Sequence, residues 1–226
     1  RQWHHNNVTF SMAYFYSEHF ILPLSHDEVV HGKGTIVNKM WGSYEDKFAQ
    51  ARGLYTYMFG HPGKKLNFMG NELGMFREWD EMKGCDWFLR QYPMHAAFEK
   101  FFEDLTGIYA NNDAFYYGFD PTNFQWINAD DAAHNTFSFM RKGSQKNFIF
   151  VINFSTNPYK MQFGVPCKGT YTEVLNSQWE KYGGTLPETP QVLKAIRLPL
   201  NNQPYRIQAE VPAFGALIFE VDLPAK

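Results

Sequence analysis

The sequence predicts two regions of different fold class, an α/β region over residues 1–112 followed by an antiparallel all-β region over residues 113–226. Before residue 112, helical and strand patterns alternate, which is typical of α/β proteins. After it come short segments of alternating apolar and polar residues separated by turn residues, which predict strands. The composition changes at the same point, since seven of the eight histidines precede it (His4, His5, His19, His26, His31, His61 and His95).

The α/β region begins with a predicted helix over Val8 to Ser17, for which Asn7 is a candidate cap. The apolar run from Phe20 to Leu24 then predicts a short buried strand. Because proline cannot donate a ladder hydrogen bond, Pro23 places the end of this strand at about that residue. A polar loop follows over residues 25–42.

Ser43 and Asp46 stand at the spacing of a capping box, which predicts that a second helix begins here and runs to about Phe59. Gly60, Pro62 and Gly63 end this helix. A second short strand is predicted from Lys65 to Met69, and a long loop then extends to about Tyr92.

The third helix is predicted to begin at Pro93 and to end at Asn111 and Asn112. Its apolar residues recur at helical spacing (Met94, Ala97, Phe98, Phe101, Phe102, Leu105, Ile108 and Tyr109). Two strands alone do not form a stable parallel sheet, since both faces and both edges need cover. We therefore expect further strands upstream of Arg1, and we expect the chain to be part of a longer protein.

Seven strands are predicted in the all-β region, and together they indicate an antiparallel sandwich of roughly 110 residues. The run from Phe148 to Ile152 is apolar at every position, so it should be central in its sheet. The predicted strands are Phe124 to Asn128, Thr136 to Arg141, Asn147 to Phe154, Lys160 to Phe163, Gly169 to Asn176, Tyr205 to Pro212 and Ala216 to Val221.

Composition limits the partners and the compartment. The net charge is −2 and no long run of Lys or Arg occurs, so electrostatics gives no reason to expect nucleic acid or an anionic membrane as a partner. No apolar run approaches the length of a membrane span. The two cysteines, Cys85 and Cys167, are too few for a disulfide framework or a zinc site and suit a reducing cytoplasm. Aromatic residues make up 18% of the chain, which indicates a well-filled core and leaves room for rings that stack on sugars.

The segment after the first strand is the richest in chemistry. In an α/β barrel the loops at the carboxyl ends of the strands form the active site, and His26 and Asp27 follow such an end. The pair could perform acid–base work or bind hydroxyl groups, or the loop could simply satisfy its own turn amides. A metal site at His26 and His31 lacks a third ligand, so no metal is expected. A catalytic serine elbow and a phosphate loop are also absent from the sequence, and no cofactor is expected.

Glu72 follows the second strand in the same relation, so it should approach the same edge of the sheet. It is either a substrate-binding group or a structural carboxylate that binds loop amides. The loop after it contains Arg77, Trp79 and Asp86, an alternation of rings and charges that suits sugar binding but also describes an ordinary packed loop.

These segments resemble the glycogen branching enzymes of the α-amylase superfamily. The stretch from Leu22 to Lys33 resembles the family's block after barrel strand seven, and the stretch from Gly60 to Glu72 resembles the block at strand eight. The loop after that block and the carboxy-terminal sandwich are similar as well (Arg77 to Trp79, Asp86 and Trp87, Phe124 to Ile127, Asn153 and Phe154, Glu173 to Asn176, Tyr182 to Gly184). Leu73 and Cys85 depart from the family pattern and affect only local packing.

The resemblance implies that residues 1–112 are the last two strand–helix units of a TIM (β/α)8 barrel and that residues 113–226 are a carboxy-terminal β-sandwich. It also implies that Asp27 is the family's third catalytic carboxylate, a transition-state stabiliser, and that His26 binds the same sugar. Glu72, Arg77, Trp79 and Asp86 are then substrate-binding residues, and the substrate is an α-glucan.

The implied activity is that of a glycosyltransferase that moves α-1,4-glucan segments to form α-1,6 branches in glycogen biosynthesis. The family's nucleophile and acid/base belong to earlier strands with no match in this sequence, so this chain alone is expected to be inactive. Two alternatives remain open at this point. One is a hydrolase or debranching enzyme of the same superfamily, and the other is a carbohydrate-binding module that uses Trp126 or Trp179 as a platform.

Overall fold

The computed structural model describes residues 2–223 of the chain. In the first region, β1 (Ile21–Leu24) and β2 (Lys64–Asn67) pair in parallel, with Ile21 opposite Lys64. The helix α2 (Tyr44–Gly60) lies between them in the chain, and α3 (Pro93–Asn111) follows β2. This strand–helix–strand–helix order is the α/β arrangement that the sequence predicted.

The start of the chain is less regular than predicted. A single helix over Val8 to Ser17 is wrong, because the structure has a four-residue helix α1 (Asn6–Thr9) followed by two 3-10 turns (Phe10–Ala13 and Phe15–Ser17). Asn7 lies inside α1, and the residue before that helix makes no side-chain cap. A short segment without a cap leaves its first amides unpaired, and this disfavours a long helix.

The strand β1 is only half buried, which corrects the prediction of a buried strand. Leu22 and Leu24 pack against the main core, whereas the Ile21 side chain is 56% exposed. In β2, Leu66 is 41% exposed in the same alternating pattern. The strand also continues through Pro23, which lies opposite Leu66. Proline is tolerated there because β1 is an edge of this two-stranded sheet and its missing amide disrupts no central ladder.

Both long helices begin where the sequence predicted. The Ser43 hydroxyl accepts a hydrogen bond from the Asp46 amide at 3.2 Å, and the Asp46 carboxylate accepts one from the Ser43 amide at 3.1 Å, so the capping box is confirmed. Pro93 occupies the first turn of α3, where its missing amide costs nothing. The buried face of α3 consists of residues at helical spacing (His95, Phe98, Phe101, Phe102 and Leu105).

The second region is an antiparallel β-sandwich, as predicted. A six-stranded sheet has the order β3-β4-β5-β10-β7-β8, and a two-stranded sheet pairs β6 with β9. The strands are β3 (Phe124–Asp131), β4 (Thr136–Lys142), β5 (Lys146–Asn153), β6 (Tyr159–Val165), β7 (Thr170–Asn176), β8 (Val192–Lys194), β9 (Tyr205–Val211) and β10 (Ala216–Asp222). The three-residue strand β8 was not predicted, because it is short and its ends are exposed.

The six-stranded sheet is covered on both faces. Phe148 and Phe150 of β5 face the helices, in one hydrophobic cluster with Phe59 and Phe98. Ile149 and Val151 face the other way, in a second cluster that includes Phe163 of β6 and Ile207 of β9. Since successive residues of a strand point to opposite faces, this double cover explains why β5 is apolar at every position. The prediction that it is central is confirmed, because β5 lies between β4 and β10.

Two buried arginines connect the helices to the sandwich. Arg52 of α2 donates to the Ser177 carbonyl at 2.5 Å and to the Tyr182 carbonyl at 2.9 Å. Arg141 of β4 donates to the Gly60 carbonyl at 3.0 Å, at the end of α2. Both guanidinium groups therefore bind backbone oxygens across the junction between the two regions.

Over residues 2–223, no helix is both long enough and apolar enough to cross a membrane.

Candidate functional site

His26 and Asp27 begin a 3-10 turn (His26–Val29) that follows directly after β1. The Ser25 hydroxyl caps this turn by accepting a hydrogen bond from the Asp27 amide at 3.3 Å. The Asp27 side chain is 68% exposed, the His26 side chain is 51% exposed, and their Oδ1 and Nε2 atoms lie 3.5 Å apart. The turn thus presents an acid and an imidazole to solvent at the carboxyl end of the strand.

The carboxyl end of β2 brings aromatic rings to the same place. Phe68 follows β2, and its amide extends the parallel ladder by donating to the Leu24 carbonyl at 2.9 Å. The His26 ring lies 5.8 Å from the Phe68 ring and 5.6 Å from the Trp79 ring. The Trp79 amide also donates to the Val29 carbonyl at 2.9 Å, so the loop after β2 is attached to the turn after β1.

Arg77 and Asp86 form an ion pair within that loop. Arg77 Nη2 lies 2.7 Å from Asp86 Oδ1, and Arg77 Nε donates to both carboxylate oxygens at 3.2 Å. The hydrogen bond to Asp86 raises the pKa of Arg77, so the guanidinium is charged at every physiological pH. A further hydrogen bond from Arg77 to the Gly84 carbonyl, at 2.8 Å, closes the loop on itself. The pair therefore fixes the shape of the segment that carries Trp79.

Glu72 lies in a separate 3-10 turn, Asn71–Leu73. Its carboxylate accepts a hydrogen bond from the Gly70 amide at 3.1 Å. Gly70 has a φ of +89°, a conformation that favours glycine, so Glu72 stabilises a tight turn after β2. This contact matches the structural alternative that the sequence left open for Glu72.

A cleft of about 620 Å³ opens beside the exposed pair, and its walls include His26, His31, Arg77, Glu78, Trp79 and Lys83. A second cavity of about 210 Å³ also has Arg77 and Trp79 in its wall, together with Met69, Met75 and Cys85. Of the predicted site residues, the structure brings His26, Arg77 and Trp79 to one cleft, with Asp27 adjacent to His26. Asp86 is connected to these residues by its ion pair with Arg77, and Glu72 binds the backbone of its own turn.

Glu78 is the residue whose role the sequence did not indicate. Its Oε2 accepts a hydrogen bond from the Gly32 amide at 2.9 Å, and its Oε1 accepts one from the Gly34 amide at 2.6 Å. These two bonds lower the pKa of Glu78. The only sequence signal was the pair of glycines one residue apart, and the acid that binds them is 44 to 46 residues away in the chain.

Within the described part of the chain, no cluster of three or more His, Cys, Asp and Glu side chains is arranged to hold a metal ion.

The fold and the comparisons define the class of protein. Residues 126–222 match the family model of the α-amylase C-terminal all-beta domain, which corresponds to nearly all of the sandwich. Residues 126–222 are therefore similar to a domain of this class.

The relatives of the whole chain are more specific. The chain is 45% identical over 222 residues to the 1,4-alpha-glucan branching enzyme GlgB of Bacillus cereus strain AH187. The aligned residues make up 96% of this chain and 34% of the relative. The same figures apply to GlgB of B. cereus strain ATCC 10987, and GlgB of Bacillus cytotoxicus is 43% identical over the same coverage. The chain is homologous to the carboxy-terminal region of these branching enzymes, which confirms the predicted resemblance. It spans about one third of their length.

Proposed function

We propose that this chain is the carboxy-terminal part of a 1,4-α-glucan branching enzyme. Residues 1–112 would form the last two strand–helix units of the (β/α)8 barrel, and residues 113–226 the sandwich that follows it. The parallel pairing of β1 with β2, with α2 between them in the chain, supports the barrel assignment. The homology to branching enzymes over 96% of the chain supports the assignment of activity.

The observation that carries the proposal is the exposed pair of His26 and Asp27 at the carboxyl end of β1. In this role Asp27 accepts hydrogen bonds from sugar hydroxyls next to the reacting carbon and stabilises the positive charge that develops there. His26 donates or accepts a hydrogen bond on the same sugar. Its ring is supported by Phe68 and Trp79, which limits its freedom to turn away.

The reaction is a double displacement that needs two further carboxylates, which we assign to segments outside this chain. A nucleophilic carboxylate attacks the anomeric carbon and breaks an α-1,4 bond, while an acid protonates the departing O4. The resulting glycosyl–enzyme ester is then attacked by the 6-hydroxyl of another glucan. That hydroxyl gives its proton to the same acid/base group, and an α-1,6 bond forms as the ester bond breaks and frees the nucleophilic carboxylate.

The loop after β2 is suited to hold the glucan. Trp79 offers a partly exposed ring at the cleft, and sugar rings stack on aromatic faces. Arg77 lines the same cleft, and Asp86 keeps its guanidinium in place. Glu72 acts indirectly, because its hydrogen bond from the Gly70 amide stabilises the turn that follows β2.

The structure does not favour a carbohydrate-binding module built on the sandwich tryptophans. Trp179 is only 3% exposed, and Trp126 packs edge-on against Phe124 and Phe139. The buried Trp179 ring therefore presents no face on which a sugar could stack.

The proposal is tested by the products formed from amylose by the complete enzyme, meaning this chain together with the segments that carry the nucleophile and the acid/base. We expect a shift in the absorbance of the iodine complex with almost no new reducing ends, because one bond forms for each bond broken. A stoichiometric release of reducing ends would instead assign the site to a hydrolase. Residues 1–226 alone serve as the control and should give neither signal, since they supply only one of the three carboxylates.

A further inference from the structure

We propose that Glu78 is a positioning residue for the site, because it holds the loop of residues 25–42 in the shape that presents His26 and Asp27. This inference rests on the proposed function, since it concerns how that site is kept in order. Glu78 does not need to touch the sugar for this role. It acts through the backbone of Gly32 and Gly34.

The two amides that Glu78 binds belong to an unusual stretch of backbone. His31, Gly32 and Gly34 have φ angles of +59°, +75° and +74°, all in the left-handed region. A run of such residues turns successive amides toward one concave side, which is a favourable site for an anion. The Glu78 carboxylate occupies this concavity and binds one amide with each oxygen. The left-handed conformation of His31 carries a steric cost that these bonds offset.

The same stretch is connected back to the exposed pair. Lys33, between the two glycines, donates its ammonium group to the Asp27 carbonyl at 2.7 Å. Lys39 donates to the Gly34 carbonyl at 2.8 Å and also to the Glu28 carbonyl. A change in the path of residues 32–34 therefore moves the donors that hold the backbone of the turn containing Asp27.

The charge and the two oxygens of Glu78 both matter. An ionised carboxylate accepts two amides at once, and hydrogen bonds to a charged acceptor are roughly twice as strong as neutral ones. A glutamine of the same length can accept only one of the two amides, because its NH₂ group is a donor and would face a second donor. The Glu78→Gln variant should therefore still bind one of the two amides, and the Glu78→Ala variant should bind neither.

The expected effect is on turnover more than on binding. In the proposed function several groups of the cleft would bind the glucan, among them His26, Arg77 and Trp79, whereas the transition state would depend on the exact placement of Asp27. A misplacement of about 1 Å at a reacting group can cost on the order of 100-fold in rate. We therefore expect kcat to fall while KM changes little.

The test measures kcat and KM of the complete enzyme for the variants Glu78→Ala and Glu78→Gln. We expect kcat to fall at least tenfold in the Ala variant, by a smaller factor in the Gln variant, and KM to stay within about threefold in both. The matched control is Asp120→Ala, because Asp120 also binds a backbone amide, that of Thr122 at 2.8 Å, but lies far along the chain in the sandwich region. It should leave kcat unchanged. A Glu78→Ala enzyme with kcat within twofold of the wild type would overturn the inference.

A fourth variant separates this inference from the proposed function. If Asp27→Asn abolishes turnover while Glu78→Ala keeps kcat within twofold of the wild type, the positioning role is wrong and the site assignment stands. If Asp27→Asn retains turnover, the site assignment itself is wrong.

Hydrogen exchange of residues 1–226 shows whether Glu78 acts locally. In Glu78→Ala we expect faster exchange confined to the amides of about residues 30–40, with the core helix α3 protected as in the wild type. Faster exchange throughout α3 would mean that the variant is globally destabilised. The kcat and KM values of Glu78→Gln would then decide the matter, since unchanged kcat in that variant would also overturn the inference.

Discussion

The six-stranded sheet of the sandwich and the parallel sheet of β1 and β2 differ in how they are covered. In the sandwich, the central strand β5 is buried on both faces, by the helices on one side and by β6 and β9 on the other. Within residues 2–223, β1 and β2 are covered on one face only, and Ile21 and Leu66 lie on the other face, which the rest of the proposed barrel would cover. Burying one large apolar side chain contributes about 1.5–3 kcal/mol to the free energy of unfolding. Most of the stability therefore lies in the sandwich and at its junction with the helices.

The aromatic rings follow the same division. Rings of the sandwich are closed in the core, such as Phe139 and Phe150, whose centroids are 4.9 Å apart in a stacked pair. Rings of the loop after β2, such as Trp79, lie at an open cleft. The rings of the sandwich are thus closed in the core, and the ends of the parallel sheet carry the exposed groups of the proposed site.

The junction between the two regions depends on buried charge. Arg52 donates hydrogen bonds to two carbonyls and to the Gln178 side chain. Burial lowers its pKa to about 9, which still leaves it charged at neutral pH. A buried cation bound only to neutral oxygens depends on every one of those bonds. The comparison therefore predicts that the junction is the most sensitive part of the fold.

Removing the Arg52 cation should have the largest effect on the free energy of unfolding. In Arg52→Met the side chain still fills the space, but the Ser177 and Tyr182 carbonyls lose their donors, so we expect a loss of about 3–5 kcal/mol in the free energy of unfolding. Urea denaturation of residues 1–226 measures it. The exposed Arg197, changed in the same way, should cost less than about 0.5 kcal/mol. Equal losses in the two variants would show that the junction has no special role.

Acid should destabilise the junction by protonating His61. His61 follows α2 at the junction, where burial, together with Lys65 and Arg141, lowers its pKa to about 4. Its unfolded pKa is about 6.5, so the unfolded state binds the proton more readily. The stability contributed by neutral His61 is complete above pH 6.5 and is lost as the pH falls toward 4, by about 3 kcal/mol in total.

Free energies of unfolding measured at several pH values test whether stability is lost as the pH falls. The variant His61→Gln should lose less stability between pH 6.5 and 4 than the wild type does. The exposed His4, changed to Gln, serves as the matched control. A His61→Gln variant with the wild-type slope would mean that other groups cause the acid sensitivity.

Substitutions at a pair of glycines should have the smallest effect on stability. A methyl group at Gly60, the last residue of α2, would lie 2.7 Å from the rings of Phe139 and Phe150, so Gly60→Ala should cost about 1–3 kcal/mol. Gly107 lies within α3 with open space around it, so Gly107→Ala should stabilise the chain by about 0.5–1 kcal/mol. Thermal unfolding of both variants distinguishes them, and a neutral Gly60→Ala would indicate a looser junction than the structure has.

The sequence predicted those elements whose signals are local. The Ser43 and Asp46 spacing located the start of α2, Pro93 located the start of α3, and the apolar run from Phe148 identified the central strand. Short elements without strong caps were predicted poorly, as the broken helical segment near Val8 shows. The exposure of β1 could not be predicted, because it depends on what lies against the sheet rather than on the residues of the strand.

The site shows the same limit. The position of His26 and Asp27 at the end of a strand could be predicted because that strand is recognisable in the sequence, and their role and that of Trp79 stay predictions. The bonds of Glu78 to Gly32 and Gly34 could not be found, since they join loops that are distant in sequence and meet only after β1 and β2 pair. Arg52 was missed for a related reason, because a charged residue on a helix normally faces water.

The most direct test of the account is the turnover of the complete enzyme with Asp27→Asn, measured per bound glucan. The variant keeps the shape of the side chain but loses its charge, so it should bind the glucan at close to the wild-type affinity and form branches at a rate lower by a factor on the order of 100 or more. Weakened binding with unchanged turnover per bound complex would contradict the account, because Asp27 would then hold the substrate without stabilising the transition state.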